Sequence, residues 1–502
     1  MPAIEQKKGL SKKDIYLIIG TLIVFLFGYI VPPFGGMGEM GMKMLGVVIG
    51  VIFMTCVGCP ITQSSLIALL AFPIHGYMDV STLLTKWTGT TTTFQLVFAG
   101  ALLLGLRQTG AMNVIAKKML GLKITKGRPG VLMFIIMTTG YVVSTCMGGA
   151  PFFLLFYGLI DSMCEVAGYG EDSKFKKYAL LGVYVGAYGG FLFYFRGAMA
   201  VTVSFFDQAL APFGLTFNGP LYMLYEICTF IPFNLIFVLA LKFIFRVDMS
   251  KLADVDVTKV EQFAKVPDHF DKKMKCMFWS VIICIAYAIL TAFAKKTWPG
   301  YAVWGSLTVT MIWVIPLVLF SLINVDGAPI INLNKILSES SLWMMISLVG
   351  IMVLLGTVCT DTSEGMGIRG AISSLFGPVF GNMSIPLLLF IVTAFATIVT
   401  QVVNGQVLTL GITPIIAPIV CQHIQAGEVG NPTIVLATLS AAAQVAYMFP
   451  SGSVNAAYIL SRKEINSKFI FTSGLAVLCL YIIWQYVIGL IFNVLFPVTI
   501  AV

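Results

Sequence analysis

From Gly370 to Gly427 the chain carries no Asp, Glu, Lys or Arg. About sixty uncharged residues are too many for one bilayer crossing, which takes ~20, so the segment must enter a membrane, turn and return. At its centre lies the polar run Thr400-Gln-Val-Val-Asn-Gly-Gln-Val-Leu-Thr409. Lipid offers amides and hydroxyls no partner, and irregular backbone survives at membrane depth only inside protein or beside a watery cavity. The polar turn therefore points to a solute site, although two ordinary spans joined by a short loop would fit the same stretch.

Only 11% of the 502 residues are charged and 58% are hydrophobic, against about 25% charged in soluble domains. No polar stretch is long enough for a soluble domain, so the expectation is an all-α polytopic membrane protein. The net charge of +9 falls in short clusters between apolar runs, the pattern of topology signals rather than of a nucleic-acid surface. No nucleic-acid partner is expected. The ten Cys lie mostly inside apolar runs and read as small packing residues. His75, His269 and His423 are scattered without ligand spacing, so no metal cluster is expected. No P-loop, HExxH or Ser/His pairing occurs, which argues against a pump driven by this chain and against an enzyme. Lys7, Lys8, Lys12 and Lys13 precede an apolar run of span length, Ile15 to Val31, without a small-residue cleavage site. It reads as a retained first helix.

Charge-poor runs predict about eleven spans, at residues 15–33, 44–58, 61–76, 91–106, 178–206, 217–245, 276–294, 300–323, 341–360, 432–460 and 469–497, with membrane lipid as their surroundings. Residues 129–160 and 377–425 read as two re-entrant hairpins. With the N-terminus in the cytoplasm, the basic clusters at 117–128, 174–177, 242–275 and 462–468 all fall on the inner side of a cell inner (plasma) membrane. The polar stretch 246–275 divides the chain. Residues 1–43 hold the first span, 44–245 a first half with hairpin 129–160, and 276–502 a second half with hairpin 377–425.

A weak repeat at an offset of about 255 residues relates the halves. Gly110 to Ala116 aligns with Gly365 to Ala371, Thr145 with Thr400, and Arg196-Gly197 with Ser451-Gly452. An odd number of spans separates the copies, so they enter the membrane from opposite sides, as in secondary transporters built from inverted repeats with broken helices. The first tip, Ser144-Thr-Cys-Met-Gly-Gly-Ala-Pro151, has glycines that suit either a turn or close helix packing. In spans 178–206 and 432–460, Gly189, Gly190, Pro450 and Gly452 interrupt the helix and expose half-helix ends suited to ions.

Arg196 stands about eighteen residues into its span. An intramembrane Arg costs at least about 2.5 kcal/mol unless paired or hydrated. Three arrangements would satisfy it: snorkelling to the outer surface, an ion pair with Glu226, or an anion held in a central cavity. Alignment with Ser451 favours the cavity.

Phe98-Ala-Gly-Ala-Leu-Leu-Leu-Gly-Leu-Arg-Gln-Thr-Gly-Ala-Met-Asn-Val-Ile-Ala116 and Tyr447-Met-Phe-Pro-Ser-Gly-Ser-Val-Asn-Ala456 resemble segments of the divalent anion/sodium symporter family of the ion transporter superfamily. The resemblance implies a homodimer with a scaffold domain and a transport domain that moves as an elevator. It also implies hairpin tips that bind sodium and substrate carboxylates. Relatives carry Ser-Asn-Thr at each tip, whereas this chain has Gly148-Gly149-Ala150 and Asn404-Gly405-Gln406. Arg196 aligns where relatives have a glycine beside the first sodium site, and a guanidinium there would replace that ion because two cations repel in a low dielectric. The candidate substrate residues are Gly148, Gly149, Ala150, Arg196, Asn404, Gly405, Gln406, Ser451, Gly452 and Ser453. The candidate sodium ligands are Thr400, Asn404 and Gln444; no cofactor is expected, Na+ being the one candidate ion. The expected function is secondary transport of small organic anions, di- or tricarboxylates, by sodium symport or anion exchange. Sulfate or another small anion is the alternative, and an integral-membrane enzyme the more distant one.

Overall fold

The computed structural model describes residues 11–57, 59–89, 91–147, 149–255, 263, 265–293, 297–305, 307–308, 310–338, 340–361, 363–368, 370–371, 374, 380–449, 452–453 and 455–500. Among these the chain is helical, with one two-stranded ribbon, β1 (Asn324–Val325) against β2 (Ala328–Pro329).

The first half contains α1 (Lys12–Ile30), α2 (Glu39–Cys56), α3 (Ile61–Ile74), α4 (Val80–Thr88), α5 (Thr91–Gln108), α6 (Ala111–Leu120), α7 (Pro129–Met147), α8 (Gly149–Val166), α9 (Lys174–Gly186), α10 (Gly197–Leu210) and α11 (Gly219–Phe243). The second contains α12 (Lys272–Phe293), α13 (Val314–Leu322), α14 (Ser340–Thr360), α15 (Ile385–Val399), α16 (Gly405–Gln425), α17 (Pro432–Gln444) and α18 (Leu475–Leu495), with a short helix Ala456–Leu460 after α17. Their starts follow local chemistry. Ser11 and Asp14 form a capping box on α1, while Asn218, Asn404 and Asn431 cap α11, α16 and α17, each satisfying amides that have no partner in a helix's first turn.

Seven of the described helices are long and apolar enough to cross a membrane, and six shorter apolar ones accompany them. The chain is thus a helical protein of membrane type. The expected spans at 178–206 and 432–460 are each divided, into α9 with α10 and into α17 with Ala456–Leu460. The span expected over 300–323 is also divided: a turn of helix at Tyr301–Trp304 stops at Gly305, and α13 begins at Val314. Pro299, Gly300 and Gly305 interrupt helical continuity there. The two expected hairpins correspond to α7 with α8 and α15 with α16, and α7 and α16 are each long enough to cross on their own.

The four basic clusters meet at one end of the molecule. Lys117 pairs with Asp268 at 2.8 Å, the Gly127 amide donates to the Ala253 carbonyl at 3.3 Å, Lys174 reaches the Phe245 carbonyl, and Lys176 pairs with Glu464 at 2.7 Å. Loops free of Lys and Arg join elsewhere: the Asn218 amide donates to Thr433 Oγ1 at 3.2 Å, and Asn431 Nδ2 to the Phe496 carbonyl at 2.7 Å. Two apolar cores are distinct. One gathers α1 to α4 with α14 and one face of α10; the larger gathers α5 to α9, the other face of α10, α11 to α13 and α15 to α18.

Candidate functional site

α7 ends at Met147 and α8 returns alongside it, so closely that a Cβ on Gly140 would stand 3.2 Å from Cζ of Phe152. A helix that stops inside protein leaves its last carbonyls without helical partners, and these carry partial negative charge. Arg196 supplies the partner. Its Nη2 donates to the Cys146 carbonyl at 2.9 Å and its Nη1 to the Thr145 carbonyl. Extended backbone at Arg196 (φ −128°, ψ 138°) sits immediately before α10, so the break between α9 and α10 is what lets a mid-span guanidinium reach the end of α7. An ion pair with Glu226 was one of the expected arrangements, and it does not form: neither Glu226 carboxyl oxygen has a well-formed hydrogen bond. The carbonyls of α7 meet the guanidinium's need without a countercharge.

The second tip solves the same problem with neutral groups. Gln401, aligned with Cys146 in the repeat, donates from Nε2 to the Thr397 carbonyl at 2.8 Å and the Val445 carbonyl at 2.5 Å. Its Oε1 accepts from the amides of Tyr447 and Met448 at 3.1 and 3.2 Å. One side chain thereby satisfies both the end of α15 and the break after α17. Thr400 Oγ1 donates to the Ala443 carbonyl at 2.7 Å. Gly452 lies so close that a Cβ would be 2.3 Å from the Thr400 carbonyl oxygen, and one on Gly405 would be 1.7 Å from that of Ala443. Only glycine fits at either place.

The two tips converge on the start of α10. Arg196 holds the first, and two residues later the Ala198 carbonyl accepts from Gln406 Nε2 of the second at 3.3 Å. The N-termini of α8 at Gly149, α10 at Gly197 and α16 at Gly405 therefore lie close together. Beside them is a partly open cavity of about 100 Å³, whose polar lining comes from Thr202, Asn404, Gln406, Thr409, Ser440, Gln444 and Ser453. No described residue lining it is acidic. Such an arrangement presents positive partial charge and neutral donors to whatever occupies it.

Of the expected substrate residues, Asn404, Gly405, Gln406, Gly452 and Ser453 line this cavity together. Gly149 and Ala150 open α8. Arg196 stands beside the cavity, facing the end of α7. Gly148 and Ser451 lie outside the described residues. Of the expected sodium ligands, Thr400 already donates to Ala443, and Asn404 Oδ1 accepts from the amides of Gln406 and Val407 at 3.0 and 3.5 Å as the cap of α16. Gln444 donates to Ser440 Oγ at 3.4 Å and keeps a buried, unpartnered Oε1. Sequence reading passed over Thr202, Thr409 and Ser440. The four-residue spacing of Ser440 and Gln444 places both on one face of α17 and was the available signal. No protein-family model matches the chain, and no curated protein matches it.

Proposed function

We propose that the protein is a secondary active transporter of small organic anions, of the di- or tricarboxylate class. The observation that carries this reading is the meeting of two helix N-termini, those of α10 and α16, at a cavity with no acidic residue in its described lining. Anions are favoured at such ends, and broken helices pointing their N-termini at an anionic solute are a transporter arrangement. Oxygens of the second tip are largely committed to protein donors, and a fixed guanidinium occupies the end of α7, which favours anion exchange or weak sodium coupling over strong sodium symport. The separate apolar cores support a static scaffold and a moving domain; the homodimer rests on the family resemblance alone. The basic end faces the cytoplasm of a cell membrane.

Thermal stabilisation of purified protein tests this. Succinate, citrate and sulfate are each added in Na+ and in K+ buffer; a bound anion at a hundred times its Kd adds about 2.7 kcal/mol. A carboxylate should raise the melting temperature in both buffers. No response to any of the anions, together with a response to organic cations, would end the anion reading, and a response to sulfate alone would move the substrate class.

A further inference from the structure

Glu226 lies on α11, fully buried, with no well-formed hydrogen bond to either carboxyl oxygen and the Tyr222 hydroxyl beside them. An isolated ionised carboxylate cannot be kept in an apolar interior, so it must be neutralised by a cation, a metal or a proton. Among the described residues no cation does so. Groups around it are neutral: Tyr222 and Tyr225 on its own helix, Tyr141 on α7 and Tyr481 on α18. Tyr188 approaches the same cluster through Phe230, at 5.5 Å between ring centres. α17 contributes Thr438 and Gln444, both neutral. Lysines of α9 also belong to a helix that packs on α11, but Lys174 is engaged with Phe245 and Lys176 with Asp161 and Glu464, at the basic end, while Lys177 pairs with Asp172. Lys272, Lys273 and Lys275 stand at the start of α12, and none forms an ion pair with Glu226.

The carboxyl is also connected to the cavity. Tyr222, one turn before Glu226, lies beside it and uses its single proton to donate to the Phe191 carbonyl at 2.8 Å. Its oxygen is therefore left able to accept, which suits a protonated carboxyl and not a carboxylate. Phe191 lines the cavity, as does Gln444, whose amide lies against the same Tyr222 hydroxyl. A short polar path thus leads from Glu226 to the place where the anion would sit.

We propose that Glu226 is a proton-binding site linked to the cavity, so that the anion moves together with a proton carried by this carboxyl. The coupling part rests on the transport reading above; the proton site itself does not. A negative Glu226 and an anion in the cavity would repel across a low-dielectric interior, so occupation of the cavity favours the protonated form and protonation favours occupation. No bond other than the carboxyl O–H forms or breaks.

Infrared difference spectra of wild type against Glu226→Gln, a change that keeps size and shape, read the site without any anion. The carbonyl stretch of a protonated carboxyl should be present in wild type, missing in the variant, and altered by adding succinate. In proteoliposomes, an acidic exterior one pH unit below the interior should raise succinate accumulation by up to about tenfold in wild type. Glu226→Gln should exchange succinate at symmetric pH yet ignore the gradient. Tyr222→Phe retains the carboxyl and should displace its band and blunt the gradient response. A wild type without the band, a band surviving in Glu226→Gln, or gradient-driven uptake equal in both overturns the proposal, as does wild-type uptake indifferent to pH. The band with no transport of any tested anion would overturn the transport reading and leave the proton site standing.

Discussion

Arg196 Nη2 donates to the Cys146 carbonyl oxygen at 2.9 Å, tying the residue that precedes α10 to the end of α7. The position is one where a monovalent cation would be equally well placed, since carbonyl ends of helices attract positive charge. Arg196→Ala removes two charge-assisted hydrogen bonds, each worth about 1.5 to 3 kcal/mol, and should lower the melting temperature in K+ buffer. Na+ should restore part of the loss. Arg196→Lys keeps the charge without the fork that spans two carbonyls and should fall between. Melting curves in both buffers measure this; if Arg196→Ala melts with wild type but loses anion affinity, the guanidinium serves the solute instead of the helix end.

Gly405 and Gly452 face carbonyl oxygens with no space for a methyl group, whereas a Cβ on Gly411 of the same helix as Gly405 meets nothing within 4 Å. Gly405→Ala and Gly452→Ala should each cost about 1 to 3 kcal/mol through overpacking and abolish anion-induced stabilisation. Gly411→Ala should stabilise by up to about 1 kcal/mol through helix propensity. Equal behaviour of the three variants in thermal melts would contradict the geometry.

At the basic end, Lys176 Nζ contacts Asp161 at 3.0 Å and Glu464 at 2.7 Å, and Arg462 Nη2 contacts the same two carboxylates at 2.6 and 3.0 Å. Burial alone would raise the Glu464 carboxyl, but the hydrogen bond from Lys176 and the charges of Lys176 and Arg462 outweigh it and hold Glu464 below the usual carboxylate range. A carboxyl lowered by folding stabilises fully above its unfolded value of about 4.3 and ceases to do so as pH falls through its folded value. Glu464→Gln should therefore be less stable than wild type at neutral pH by about 1.5 to 3 kcal/mol, and the gap should close on acidification. Melting temperature against pH for both proteins is the measurement, and a constant gap would contradict it.

Much of this was legible because charge is so costly in a membrane. The charge-free runs around Thr145 and Thr400 placed both turns, and Pro450 with Gly452 marked the second broken helix. Arg196 stood out because a mid-span guanidinium must find a partner. What the sequence concealed was the partner's nature: carbonyl oxygens belong to every residue, so Cys146 and Thr145 give no signal, while Glu226 offered an apparent countercharge that the fold places elsewhere. The division of 300–323 was hidden for a related reason, since hydropathy does not register where glycine and proline end a helix.

Gln401 provides the last prediction, because its role follows from four hydrogen bonds and no charge. It is buried and donates to Thr397 and Val445 while accepting from Tyr447 and Met448. Gln401→Met preserves length and volume but leaves two carbonyls and two amides without partners, and each orphaned buried group costs about 1 to 3 kcal/mol. Gln401→Glu keeps the acceptor for the two amides yet turns the Thr397 and Val445 carbonyls against another acceptor and buries a charge. Both variants should melt well below wild type and lose anion-induced stabilisation, since the chain held by Gln401 continues into Gly452 and Ser453 at the cavity. A Gln401→Met protein that melts with wild type would mean that water or a relaxed backbone satisfies these groups, and the side chain would then not be what fixes the break after α17 to the tip between α15 and α16.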